Sequence, residues 1–226
     1  MNIDGNFPSY EQQEAIKTSI ANVSNQIANK NVGKILKSKT YLSNGTFTVP
    51  AGVTEVYITG GGAGGGGGGD AVAGYSNGNS GGTTSFGALL SLAGGSGGYS
   101  NGQGGAYIAA NSGGVGGSSG APLQSASLGG NGGDGGWFSG GKGSVAGSNT
   151  NSTAGKGALC SGGGGCAGAG GGAGAFVYKQ SVAVTPSTNI NVTIGQGGAG
   201  GYRSNGSATF SGGAGGNGIL IIEWWE

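Results

Sequence analysis

The sequence predicts a mostly β, partly irregular fold: a small antiparallel β-framework with an inserted bundle of glycine-rich helices, preceded by one short α-helix. Three observations predict it. Glycine supplies 62 of the 226 residues and is concentrated in residues 60–175. Parts of that stretch repeat with a period of three residues. Alternating apolar and polar residues, the pattern of half-buried strands, stand on either side of it.

The N-terminal residues 1–40 contain the one helical pattern. Ser9 is a suitable N-cap, and Glu11 and Glu14 complement the helix dipole in the first turns. Four β-branched residues then follow at spacings of 4, 3 and 4, which is a heptad seam, and β-branched residues at both seam positions favour three strands. The seam consists of Ile16, Ile20, Val23 and Ile27. We therefore expect a homotrimeric coiled coil; an amphipathic helix docked on its own domain or on a partner is the alternative.

The second predicted domain, residues 41–226, divides into a β-framework and an insert. The framework comprises residues 45–59 and 175–226, and its strand-like runs are residues 45–49, 53–59, 175–184, 189–194 and 218–224. The glycine-rich insert is residues 60–175.

The Gly-Gly-X repeat is clearest from Gly129 to Trp137. A polyproline-II helix has three residues per turn and rises about 3.1 Å per residue, so every X side chain of such a run lies on one edge. The two bare edges let neighbouring helices approach until backbone N–H meets backbone C=O. We therefore predict a packed bundle of polyglycine-II helices. A disordered glycine-rich segment is the alternative.

Composition and charge exclude several classes of function. A net charge of +1 gives no indication of a nucleic-acid or anionic-membrane partner. No apolar run approaches about 18 residues, and the N-terminus lacks a signal-peptide pattern, so we expect synthesis in a cytoplasm and no membrane insertion. There is no histidine, which excludes serine–histidine and cysteine–histidine nucleophile pairs. Asp70 and Asp134 are unpaired in the sequence, so we expect no enzyme activity and no cofactor.

The two cysteines, Cys160 and Cys166, are separated by Ser161 and four glycines. A disulfide that closes this short loop and a pair of buried free thiols are the two alternatives. Two cysteines without histidine do not form a zinc site, because zinc takes four ligands in a structural site.

The order of motifs in residues 45–226 resembles a known family. Thr-Phe-Thr-Val-Pro-Ala-Gly-Val-Thr precedes a polyglycine run, Val-Thr-Ile-Gly-Gln-Gly-Gly-Ala-Gly-Gly comes later, and Gly-Gly-Asn-Gly-Ile-Leu-Ile-Ile-Glu closes the chain. This order is similar to the glycine-rich domains at the tips of bacteriophage tail fibres and spikes. The polyglycine runs resemble those of the distal adhesins of T-even-like phages, in which polyglycine helices form a sandwich. The N-terminal attachment part of those adhesins has no match here, and the helix replaces it.

The resemblance implies a receptor-binding protein of the virion, with loops between the glycine runs as the contact surface. Its partners would be a bacterial surface receptor (outer-membrane protein, glycan or pilus) and other fibre or spike proteins. Aromatic and charged residues beside the glycine runs are the receptor-binding candidates, since rigid aromatics dominate binding hot spots; covering the ends of the bundle is the alternative role for each. They are Tyr75, Tyr99, Tyr107, Trp137, Phe138, Lys142, Tyr202 and Arg203. The alternative function is a structural polyglycine-II protein of the matrix or ice-binding type.

Overall fold

The computed structural model describes residues 10–28, 33–69, 76–100, 129–144, 152–204 and 209–226. Over these residues the fold is mostly β, with antiparallel sheets and a single short helix, which confirms the predicted class. The elements in chain order are α1 (Tyr10–Ala28), β1 (Leu36–Tyr41), β2 (Gly45–Thr48), β3 (Glu55–Gly61), β4 (Thr84–Phe86), β5 (Leu90–Leu92), β6 (Ser152–Thr153), β7 (Phe176–Ala183), β8 (Asn189–Thr193), β9 (Tyr202–Ser204), β10 (Thr209–Ser211) and β11 (Ile219–Trp225).

Two four-stranded antiparallel sheets form the framework. The first has the order β1-β11-β3-β7 and the second the order β2-β8-β4-β5. Each has one apolar face, as the alternation of β11 shows: Leu220, Ile222 and Trp224 are buried while Ile221 and Glu223 are partly exposed. β1 begins inside the segment predicted to be N-terminal, and β1, β4 and β5 were not among the predicted strands.

The apolar core lies between these two sheets. Phe47 of the second sheet contacts the Trp224 ring of the first edge-to-face, with ring centroids 5.2 Å apart, and the Phe86 ring at 5.9 Å. Such aromatic pairs contribute about 0.5–1.5 kcal/mol beyond the area that they bury. Valine, isoleucine and leucine side chains of both sheets complete this cluster. The conventional core is therefore small, as the low apolar content predicts.

The edges of the first sheet carry features that disfavour pairing with a further strand. The outer strand β1 has Lys37 and Lys39 in its middle, and charged residues on an edge oppose aggregation. At the other edge, the register between β3 and β7 shifts after Ile58, and Lys179 has a φ of 47°. The Thr59 hydroxyl oxygen accepts a hydrogen bond from the Lys179 N–H at 3.0 Å, which satisfies a donor that the bulge would otherwise leave unpaired.

Ten extended glycine-rich segments, counted among the described residues, fill the space beyond the framework. Numbered in chain order, they are g1 (62–69), g2 (76–82), g3 (93–99), g4 (129–135), g5 (140–144), g6 (154–158), g7 (161–166), g8 (168–175), g9 (195–201) and g10 (212–217). The last two lie outside the predicted insert 60–175. Consecutive numbers alternate in direction, and the described connections between g4 and g5 and between g6 and g7 are short.

The hydrogen bonds of g1 repeat every three residues instead of every two. The N–H groups of Gly65, Gly66 and Gly67 donate to g8, g2 and g10 in turn, each at 2.9 Å. The carbonyl oxygens of the same three residues accept from g7, g3 and g9 at 2.7–2.9 Å. One segment therefore has six hydrogen-bonded neighbours, whereas a strand in a sheet has two at most.

Segment g7 has the same arrangement. Gly162, Gly163 and Gly164 donate to g4, g1 and g6, and their carbonyl oxygens accept from g5, g8 and g10. The segments that surround g1 and g7 are also hydrogen-bonded to one another. Together these bonds define three layers: g3-g8-g4, then g2-g1-g7-g5, then g9-g10-g6. The array is thus a hexagonal sandwich with g1 and g7 fully buried at its centre.

Close backbone contact explains why these positions are glycine. A Cβ added at Gly66 would lie 2.0 Å from the Ala199 carbonyl oxygen, and one at Gly132 would lie 2.0 Å from the Gly162 carbonyl oxygen. Neither neighbour can yield, because each is backbone held by its own hydrogen bonds. In g10 the X positions reach the surface: Ala214 and Asn217 are partly exposed, as is Ser211 just before g10, while the glycines between them are buried.

We expect Gly66→Ala to destabilise the protein by more than about 1–3 kcal/mol, the usual cost of overpacking, because hydrogen bonds to adjacent segments are lost as well. Gln196→Ala is the control, since Gln196 is an exposed X residue of g9, and we expect a change within about 0.5 kcal/mol. Urea unfolding of both variants is the measurement. Equal unfolding midpoints would contradict the packing described for g1.

Candidate functional site

The glycine array has two chemically different ends. At the framework end, g1, g8 and g10 join β3, β7 and β11, and the two-sheet core follows. At the opposite end, called the far end here, the small three-stranded sheet β6-β10-β9 follows or precedes segments g6, g9 and g10. The residues that flank the undescribed stretches 70–75, 101–128, 145–151 and 205–208 all lie at the far end.

Two of the predicted receptor-binding residues, Tyr99 and Tyr202, lie at the far end. Tyr99 ends g3 and Tyr202 follows g9, and these two segments pack on opposite sides of g2 at the edge of the array. Their side chains are 44% and 53% exposed. Two large, exposed phenol rings are thus presented on either side of the first residues of g2.

Short hydrogen bonds fix the backbone between these tyrosines. The Ser76 hydroxyl donates to the Tyr202 carbonyl oxygen at 2.9 Å and accepts from the Tyr202 N–H at 2.5 Å. The Asn77 side-chain oxygen accepts from the Ser100 N–H at 2.9 Å, directly after Tyr99. Ser76 and Asn77 were not predicted to contribute, because a lone Ser-Asn pair in a glycine-rich sequence gives no indication of a partner more than twenty residues away.

Four other predicted receptor-binding residues lie in different parts of the chain. Arg203 lies on β9 at the far end, where its backbone is opposite Phe210. Tyr75 and Tyr107 lie outside the described residues, although Tyr75 directly precedes Ser76. Lys142 is exposed in the middle of g5, at the lateral edge of the array and away from both tyrosines.

Trp137 and Phe138 lie at the framework end, opposite Tyr99 and Tyr202. They form the turn between g4 and g5, in which Gly135 and Phe138 exchange two backbone hydrogen bonds of 2.9 Å. The Gly-Gly-X run predicts a rigid Trp137 but not which end of the bundle it occupies, since that depends on the direction of g4. The structure therefore brings Tyr99, Tyr202 and Arg203 to one end and Trp137 with Phe138 to the other.

Aromatic packing holds this turn against the framework. The Trp137 ring contacts the Phe176 and Tyr178 rings edge-to-face, with centroids 5.4 Å and 5.5 Å away. Phe138 packs against the buried cluster of Cys160, Phe176 and Ile219. Trp137 remains 64% exposed.

The cysteines are both buried and free, which is the second of the two alternatives that the sequence leaves open. They lie at opposite ends of g7 in different clusters, Cys160 with Phe176 and Cys166 with Phe210. The extended, hydrogen-bonded segment between them keeps them apart, so no disulfide closes this loop. Burial raises the pKa of the Cys160 thiol to about 12, and the thiol is therefore protonated and unreactive at neutral pH.

The described residues include no group of three or more cysteine, aspartate or glutamate side chains with the geometry to hold a metal ion. Asp134, one of the two insert carboxylates, accepts a hydrogen bond from the Gly140 N–H at 2.8 Å and so stabilises the Trp137 turn. Within the same described part of the chain, no helix is long and apolar enough to cross a membrane.

A scan against protein-family models found no match, and a search of curated proteins also found none. The residues and their geometry are therefore what support a function for this chain.

The Trp137 turn allows a matched test of steric fit. Gly136 has a φ of 57°, and a Cβ there would lie 2.5 Å from the Phe176 ring; Gly52 has a φ of 80° with nothing within 4 Å of the added Cβ. Both alanine substitutions strain the backbone by about 1–2 kcal/mol, but only Gly136→Ala also disturbs packing. We expect Gly136→Ala to lower the melting temperature further than Gly52→Ala does. The same loss in both would show that the turn tolerates displacement from Phe176.

Proposed function

We propose that the chain is a phage receptor-binding protein, an adhesin at the tip of a tail fibre or spike that attaches the virion to the bacterial surface. The observation that carries this proposal is the difference between the two ends of the fold. Exposed tyrosines lie at one pole of a rigid array, and the chain enters at the other. Ile35 and Glu226 exchange backbone hydrogen bonds of 2.6 Å and 3.1 Å, so residue 35, which follows α1 in the chain, lies at the framework pole, opposite Tyr99 and Tyr202.

We infer that the ten glycine segments are polyglycine-II helices. The period of three in their hydrogen bonds and the six neighbours of g1 and g7 support this, because a helix with three residues per turn directs successive N–H groups to three sides. Such an array is ordered before any ligand binds. A pre-ordered scaffold benefits an adhesin, since side chains that become ordered only on binding subtract from its affinity.

The proposed receptor surface is the far end, with Tyr99 and Tyr202 as its described aromatic residues. Arg203, Tyr75 and Tyr107 remain candidates by their place in the chain. Trp137 and Phe138 are no longer proposed as receptor contacts, because they belong to the opposite pole. Lys142 is proposed at most as a lateral contact.

We expect Tyr99→Ala combined with Tyr202→Ala to abolish attachment of the purified, fluorescently labelled protein to cells of a susceptible bacterial strain. Removing a hot-spot residue costs about 2 kcal/mol or more. Both side chains are exposed, so the fold should be retained. Flow cytometry across a panel of strains is the measurement, and it identifies the host at the same time.

Trp137→Ala is the matched control, since it removes a large exposed aromatic side chain from the opposite pole. It should bind cells like the parent protein. Loss of binding in Trp137→Ala alone would reverse the proposed orientation. If the parent protein bound no strain at all, the structural alternative, a matrix or ice-binding polyglycine protein, would be favoured.

We further propose that three copies associate through α1. Ile16 and Ile20 are 50% and 60% exposed on α1, and Ala15, Ser19 and Ser24 line an apolar groove beside them. Val23 and Ile27 continue the same stripe, although their side chains are outside the described part of the structure. A helix of 19 residues is marginal in isolation and gains stability when its apolar stripe is covered. A trimer would also raise avidity for a repetitive cell surface.

Light scattering of the full chain and of Ile16→Asp with Ile20→Asp tests this association. We expect a trimer for the parent and a monomer for the variant, because buried, unpaired carboxylates oppose helix association. Point variants are preferable to deletion of residues 1–40, which would remove most of β1 from the sheet. A monomeric parent would refute the helical seam, and a trimeric variant would place the interface elsewhere.

A further inference from the structure

The outer face of the first framework sheet carries two shallow depressions side by side. They share one wall, formed by Tyr57 and Trp225, and have volumes of about 100 Å³ and 160 Å³. The residues that complete the first are Lys34, Gly52, Val53, Thr54 and Glu55, and those that complete the second are Leu36, Lys179 and Glu223. All of them lie at the pole opposite Tyr99 and Tyr202.

The shared aromatic wall consists of Trp225 and of Tyr57, whose hydroxyl is held by a hydrogen bond. On β11, Trp224 points into the core and Trp225 therefore lies on the opposite face, beside Tyr57 of the adjacent strand β3. The Tyr57 hydroxyl donates to Glu55 Oε2 at 2.7 Å, and the Ser181 hydroxyl donates to Glu55 Oε1 at 2.5 Å. These two hydrogen bonds lower the pKa of Glu55, so its carboxylate is ionised at neutral pH.

The same set of groups occurs in both depressions. Each has one lysine ammonium and one glutamate carboxylate beside the aromatic wall: Lys34 with Glu55 in the first, and Lys179 with Glu223 in the second, where Lys179 Nζ is 3.7 Å from Glu223 Oε2. Carboxylates accept hydrogen bonds from hydroxyl groups, ammonium groups donate to them, and an aromatic face packs against apolar C–H groups.

A hydroxylated ring satisfies all three kinds of group at once. A protein partner fits less well, because the centres of protein interfaces are depleted in lysine and glutamate. The charges within each depression balance, which favours a neutral ligand over an ionic one.

We propose that this face is a saccharide-binding site that holds two adjacent sugar residues of a neutral oligosaccharide, one in each depression, across the wall of Tyr57 and Trp225. The site is separate from the proposed receptor surface at the far end and does not depend on it.

Fluorine NMR of the full chain labelled with 5-fluorotryptophan tests the site, because the sequence has three tryptophans and each gives one resonance. The probes are cellobiose, maltose and chitobiose, each titrated separately. We expect at least one of them to shift the Trp225 resonance saturably while the Trp137 and Trp224 resonances stay fixed. The proposal is overturned if none shifts Trp225, or if Trp137 shifts in parallel, which would indicate unspecific contact with exposed indoles.

Glu55→Gln should weaken the saturating disaccharide about fivefold to tenfold, since the hydroxyl groups lose a charged acceptor. Lys179→Met makes the same test in the second depression. Lys156→Met is the control, because Lys156 is an exposed residue of g6 far from the site, and its titration should match that of the parent. Unchanged Trp137 and Trp224 resonances establish that each variant is folded. Parent-like affinity in both Glu55→Gln and Lys179→Met would overturn the proposal.

Discussion

The structure depends on direct hydrogen bonding between backbones that no side chain separates. In g1, three successive residues use six backbone groups to hold six different neighbours. Glycine loses more conformational entropy on ordering than any other residue, so an isolated glycine segment would not stay extended. The array offsets that cost collectively: in g1, every N–H from Gly62 to Gly69 donates to a backbone carbonyl oxygen. Removing one segment would therefore leave unpaired groups on several others.

This construction gives a protein with two kinds of core. Between the framework sheets, Phe47, Phe86 and Trp224 pack as in an ordinary sandwich, and burial of apolar area stabilises them. Within the array there is almost no apolar side chain to bury, and packing is between backbones. The framework sets the positions of g1, g8 and g10 through β3, β7 and β11. The array then extends that order to the turns that connect its segments.

The sequence predicts much of this fold because the relevant patterns are local. Alternation in residues 53–59 and 218–224 predicts two strands, and the Gly-Gly-X run from Gly129 indicates a threefold segment. Contacts between segments that are distant in the sequence leave no such local pattern. The direction of g4 decides that Trp137 packs on Phe176 instead of being presented at the far end, and no sequence window contains that information. Similarly, the pairing of β1 with β11 depends on residues at opposite ends of the chain.

The exposed aromatic residues that the structure describes fall into two groups by their role. Trp137 and Tyr178 lie where a turn must be held against a sheet, and each has an aromatic partner within 5.5 Å. At Tyr99 and Tyr202 the hydrogen bonds of Ser76 and Asn77 hold the backbone, and the phenol rings are left exposed. A fold that secures its turns through the backbone leaves the side chains at those turns unconstrained by packing. Such side chains can vary without loss of the scaffold, which is a property that the proposed receptor-binding function would use.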